Sequence, residues 1–295
     1  MSSPEGALPE QALPGRALPG AERRRLGLSL LATEITVLFR RKRTWAMLLA
    51  LAAVPVLVGV AIRISSAGDS GRGPSFLTQI AGNGLFVGVA SLVLAIPLFL
   101  PLTVGVVAGD TIAGEASQGT LRYLLVAPAG RPRLLLVKFL GAAAFCFAAP
   151  LAVVIAGTLT GLALFPVGPF TLLSGDQVPV GVGLLRLLAM AVYVGVAMLG
   201  LTAVGLFVST LTDVPVGAMA ATVVLAVTSQ VLDQLPQLDA LHPFLLSDSW
   251  LGLIDLLREP PDWSTFGSNA LLQLGYVVVF GALAYGRFTT RDVLA

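Results

Sequence analysis

Residues able to do chemistry are scarce in this 295-residue chain: one histidine, His242, one cysteine, Cys146, and two lysines, Lys42 and Lys138. A phosphate-cradling loop for nucleotide hydrolysis reads GxxxxGK[ST], with Gly-rich backbone amides around the phosphates and a lysine reaching them. Lys42 follows Arg41 and Lys138 follows Val137, neither in a Gly-rich turn. ATP is therefore not bound by that route. A membrane metalloprotease needs HExxH on a helix, and a serine hydrolase needs a histidine beside its nucleophile. His242 stands before Pro243 in a connecting segment and serves neither purpose. A lone cysteine excludes an internal disulfide and most metal sites, so Cys146 reads as a small packed hydrophobe. No catalytic, cofactor-binding or metal-ligating set is assigned.

The densest polar stretch is GDTIAGEASQGTLRYLLVAPAGRPRLLLVK, residues 109–138. Asp110 and Glu115 precede Leu121, Leu124 and Leu125; Pro128-Ala129-Gly130 then interrupts, and Arg131-Pro132-Arg133 leads on. This spacing suits a short amphipathic helix, acidic at its start where the helix dipole favours negative charge, and stopped by a Pro/Gly turn. A plain connecting loop satisfies the same physics, so the residues alone leave its role open.

The elements around it belong in a bilayer. Hydrophobic residues make up 56% of the chain and charged ones 12%, against about a quarter charged in soluble domains. Mean hydropathy is +0.90. The net charge of +2 is not gathered on any domain or face, which argues against a nucleic-acid partner. Six apolar runs approach the ~20 residues that span a hydrocarbon core: Trp45–Ile62, Leu85–Val107, Leu134–Phe165, Leu184–Val208, Val214–Leu232 and Leu271–Tyr285. With the N-terminus inside, fourteen Lys and Arg fall on cytoplasmic segments and four outside, namely Arg63, Arg72, Arg186 and Arg258. The positive-inside rule then places both termini in the cytoplasm. The first run reads as a retained anchor, since a long tail precedes its basic flank and no small-residue cleavage pattern follows.

ALPEQ, ALPGR and ALPGA repeat over residues 7–21. Their Pro and Gly oppose helix and their apolar groups are too few for a core, so residues 1–21 are expected to form a disordered tail. Leu28, Leu31, Ile35 and Leu38 then recur at helical spacing between Arg23-Arg24-Arg25 and Arg40-Arg41-Lys42-Arg43. That pattern predicts an amphipathic helix in the headgroup layer, anchored on the lipid bilayer by Arg40, Arg41, Lys42, Arg43 and Trp45.

Within the spans, Gly84–Gly88, Gly105–Gly109 and Gly157–Gly161 let helices approach closely, and Pro97 and Pro101 are expected to kink the second span. No span holds an ionisable group at its centre, which counts against a self-sufficient secondary carrier or lipid scramblase. Between Asp233 and Ser268, Leu246, Trp250, Leu253, Ile254 and Leu257 predict a short amphipathic helix at the outer interface.

The stretch 109–138 resembles the first cytoplasmic loop of ABC-2 type transporter permeases, through Asp110, Glu115, Gly119, Thr120, Leu121, Leu124, Leu125, Pro128, Arg133 and Lys138. Ser209-Thr210-Leu211-Thr212-Asp213 resembles their short inner turn, and Phe288-Thr289-Thr290-Arg291-Asp292 their ending. The resemblance implies an all-α membrane protein over residues 22–295: six transmembrane helices, an N-terminal interfacial helix, and a cytoplasmic coupling helix between spans two and three. It also implies a non-enzymatic, multi-pass permease subunit in the plasma membrane, working as an exporter. Its expected partners are a second permease copy, identical or homologous, and two copies of a separate ABC ATPase subunit. Carried over residue by residue, Asp110, Glu115, Gly119, Thr120, Leu121 and Arg122 are the candidates for the ATPase-docking surface. The rival function is the secondary carrier or scramblase with no ATPase partner.

Overall fold

A chain surrounded by hydrocarbon must satisfy its amides internally, and helices do so within one segment. The computed structural model describes residues 20–68, 83–120, 130–172 and 174–290, and within them nine α-helices form. They are α1 (Gly20–Arg40), α2 (Lys42–Gly68), α3 (Leu85–Ala95), α4 (Phe99–Ser117), α5 (Arg131–Leu164), α6 (Val180–Ala197), α7 (Leu199–Leu211), α8 (Pro215–Asp233) and α9 (Trp263–Thr290). A two-residue hairpin, β1 (Phe170–Thr171) against β2 (Gln177–Val178), joins α5 to α6. Six helical stretches are long and apolar enough to cross a membrane: Lys42–Ser65, Phe99–Ser117, Arg131–Leu164, Val180–Leu211, Pro215–Asp233 and Trp263–Thr290.

The expected second span, Leu85–Val107, is two helices. The chain leaves helical form at Ile96–Leu98 and resumes as α4, which runs on to Ser117. Pro97 explains the break, because it has no amide to donate and its ring crowds the carbonyl one turn earlier. Pro101 produces none. It occupies the first turn of α4, where amides have no partner within the helix in any case. The fourth span is likewise divided, α6 ending at Ala197 and α7 starting at Leu199 around Met198.

Tight crossings hold the bundle together. Gly84 and Gly88 of the α3 entrance meet Gly161 and Gly157 of α5 backbone to backbone. A Cβ on Gly105 would come within 2.9 Å of Val223 Cγ2, and one on Gly109 within 2.7 Å of the Met219 amide, both on α8. The three GxxxG spacings thus find partners inside this chain. Around these crossings lies a core of fully buried side chains, with Phe145, Met190, Tyr193, Leu201 and Trp250 at its centre. Cys146 is buried in it, and its Sγ lies 2.8 Å from Thr202 Oγ1.

The segment before α9 departs from the predicted amphipathic α-helix. Trp250–Leu257 is a 3₁₀ helix, and Trp250, Leu253 and Leu256, three apart, line one buried edge. Three residues per turn suits that spacing. Leu257 is buried too, whereas Ile254 faces outward. The Tyr193 hydroxyl donates to Ser249 O at 2.6 Å, and Arg186 donates to Leu256 O at 2.9 Å and Arg258 O at 2.7 Å while pairing with Glu259.

Candidate functional site

The polar residues singled out from sequence gather where α1, α4 and α5 meet. On α1, Leu31, Ile35 and Leu38 of the expected stripe are half-buried, as is Phe39, and Glu34 is half-buried among them; the side chain of Leu28 lies outside the described residues. Lys138, on the second turn of α5, has a side chain only 6% exposed. Its Nζ donates to Glu34 Oε1 at 2.9 Å and Oε2 at 3.0 Å, and also to Glu115 Oε1 from α4. One ammonium therefore joins three helices.

One turn along α4, the Asp110 carboxylate accepts from Arg41 at 3.2 Å and Arg43 at 2.5 Å. These arginines form the elbow between α1 and α2. Three cations thus face three carboxylates, with Asp110, Glu115 and Glu34 only 12%, 16% and 25% exposed. Two glycines leave room for these carboxylates. A Cβ on Gly141 would come within 2.8 Å of Glu34 Cγ, and one on Gly114 within 2.7 Å of Asp110 Oδ1. Burying Lys138 has a large desolvation cost, offset by the two carboxylates around it; removing one member of such a set typically costs about 3–5 kcal/mol.

The elbow is closed by side chains. Helices end with carbonyls that have no partner of their own, and here Thr44 Oγ1 donates to Leu38 O at 2.7 Å while Trp45 Nε1 donates to Phe39 O at 2.7 Å. Thr44 is buried, whereas Trp45 is 54% exposed. Arg40, Arg41, Lys42 and Arg43 are all exposed around it. Of these expected anchors, Arg41 and Arg43 thus also hold Asp110.

α4 stops on a glycine. Gly119 has φ of +67°, a left-handed conformation that costs an L side chain about 1–2 kcal/mol. Its amide donates to Ala116 O at 3.0 Å and the Thr120 amide to Glu115 O at 3.1 Å. This pair of bonds is the Schellman closure of a helix. Gly119 and Thr120 are exposed at the tip. About two turns back, Ser209, fully buried, accepts from the amides of Ile112 at 3.0 Å and Ala113 at 2.8 Å, fastening the end of α7 to α4.

The structure thus brings Asp110, Glu115, Arg41 and Arg43 together and keeps Gly119 and Thr120 apart from the ion pairs at the helix tip. Leu121, Arg122 and the rest of the expected coupling helix lie outside the described residues, as do residues 1–19 of the repeat tail. Glu34 was missed by sequence reasoning. Its signal was a carboxylate set among Leu31, Ile35 and Leu38, where an amphipathic stripe should carry none.

Residues 28–293 match the family described as ABC-2 family transporter protein. The chain belongs to the ABC-2 transporter family. It is a multi-pass membrane protein. A probable ABC transporter permease protein, NosY, of Pseudomonas aeruginosa is 36% identical to it over 84 residues, covering 28% of this chain and 30% of that protein. The family match extends over all the ion-paired residues, from Glu34 to Lys138.

Proposed function

We propose that this ABC-2 permease is the membrane half of an ATP-driven exporter. Two permease copies sit in the plasma membrane with both termini in the cytoplasm, and two copies of a separate ATPase subunit grip the α1 end. The distribution of Lys and Arg supports that orientation. The export direction rests on the resemblance to ABC-2 type transporter permeases as a family.

The observation that carries the reading is the grip of Lys138 on Glu34 and Glu115 at once. A motor acting on the loop after α4 displaces nothing useful unless that loop is tied to the spans. On this reading the docking surface comprises Gly119 and Thr120 at the tip of α4 together with Leu121 and Arg122, which are carried over from the resemblance alone. Asp110 and Glu115 stand one step behind it, fixing the angle at which α4 meets α1 and α5. A push on the tip is then shared by three helices and shifts the bundle between two states biased by nucleotide. Glu115 Oε2, buried with no hydrogen-bond partner among the described residues, offers an acceptor to a second donor when the helices shift.

The test is extraction of the tagged protein in mild detergent followed by mass spectrometry of what accompanies it. An ABC ATPase near one-to-one, lost when Thr120 and Arg122 are changed to Asp, supports the reading. A protein recovered alone and transporting in sealed vesicles without ATP sinks it in favour of the self-sufficient carrier.

A further inference from the structure

Near the α1 end of the bundle, α5, α7 and α9 leave between them a groove of about 230 Å³. Leu136 and Phe139 of α5, Leu206 of α7, and Gly281 and Tyr285 of α9 line it, and the Tyr285 hydroxyl is the one polar side-chain group on its walls. The groove opens sideways onto the surface that faces hydrocarbon, where Leu136 is 56% and Tyr285 45% exposed. Its volume falls below the ~300 Å³ at which sites for drug-sized ligands begin. It suits part of a single aliphatic chain.

Charge at its mouth selects what that chain belongs to. Pro132 forms the edge of the groove, and next to it Arg131 Nη1 donates to Thr289 O at 2.6 Å. A neutral carbonyl leaves the guanidinium charge in place, and no carboxylate pairs with Arg131 among the described residues. Arg287 stands at the same end, and α5, α7 and α9 themselves contain no Asp or Glu. An apolar slot at membrane depth under Arg131 and Arg287 at the membrane surface is an arrangement that suits an anionic lipid. Gly281 widens it, since a Cβ at that position would meet nothing within 4 Å.

We propose that this groove binds one acyl chain of an anionic glycerophospholipid whose phosphate lies against Arg131. The assignment to the cytoplasmic leaflet rests on the orientation proposed above; the binding itself does not. The phospholipid is a resident partner of α5 and α9, held whether or not an ATPase is docked.

The test uses the full-length protein in mild detergent, equilibrated with micelles containing equal amounts of phosphatidylglycerol and phosphatidylcholine and read by native mass spectrometry. Phosphatidylglycerol should be retained over phosphatidylcholine by about tenfold. Gly281→Leu, which fills the groove, should lower that retention by about tenfold. Gly275→Leu, on the same helix, in equally open space and away from the groove, should not. Arg131→Gln should keep lipid binding and abolish the preference. Equal retention of both lipids by the unaltered protein, or equal loss in the two glycine variants, overturns the proposal. So does a Gly281→Leu variant that loses a second protein copy instead of a lipid, which would make the groove a protein interface. None of these readings requires the ATPase, so failure here is separable from failure of the exporter assignment.

Discussion

Gly157 of α5 faces Gly88 of α3 so closely that a Cβ on the former would stand 2.7 Å from the Cα of the latter. Backbone has no rotamer with which to retreat. Gly157→Leu should therefore destabilise the protein by at least the ~1–3 kcal/mol of an overpacked core, seen as a fall in melting temperature in detergent. Gly267→Leu, where a Cβ meets nothing within 4 Å, is the matched control and should leave it unchanged.

Lys138 is the member of the ion set whose loss matters most, because two carboxylates depend on it. Lys138→Met should destabilise by about 3–5 kcal/mol, and adding Glu34→Gln and Glu115→Gln should recover most of the loss, since no buried charge then lacks a partner. Thermal unfolding of the single, double and triple variants checks this. Equal melting temperatures for Lys138→Met and the triple variant would show that the ions are solvated and independent.

Gly119→Val should cost about 1–2 kcal/mol through the left-handed backbone alone, and its effect should be local. Hydrogen exchange should quicken in the last turn of α4, while the ion pairs one and two turns back persist. Transport, which on the proposed mechanism runs through this tip, should fall by more than the change in melting temperature accounts for.

At the other end, Asp262 caps α9: its Oδ1 accepts from the Ser264 amide at 2.9 Å and the Ser264 hydroxyl at 2.6 Å. These bonds hold its carboxyl below the usual aspartate range. A depressed folded-state pKa contributes stability that is complete above the unfolded value and lost as pH falls through the folded one. Fraying of the first turn of α9 should therefore appear only below about pH 4, and Asp262→Asn should remove that dependence. Hydrogen exchange at residues 263–266 as a function of pH reads it directly.

The number of spans was legible because hydropathy acts over whole windows and is insensitive to where a helix bends. The breaks were not, since they depend on single positions. Pro97 and Pro101 look alike in sequence, and only the point where α4 begins makes one a breaker and the other harmless. The polar site was half legible. Asp110, Glu115 and Lys138 stood out as charges beside apolar runs, yet their connection to α1 required knowing that Glu34 points inward. The 3₁₀ form of Trp250–Leu257 was written in the spacing of Trp250, Leu253 and Leu256, which a search for 3.6-residue periodicity passes over.

Glu34 and Lys138 are 104 residues apart in the chain. During synthesis α1 emerges long before its counter-charge, and two further spans must be threaded into the membrane before α5 arrives. The N-terminal helix is then fastened only once the third span has arrived. Its clasp reports that the first three spans have entered in register, and a chain in which the third is inverted leaves Glu34 without its counter-charge.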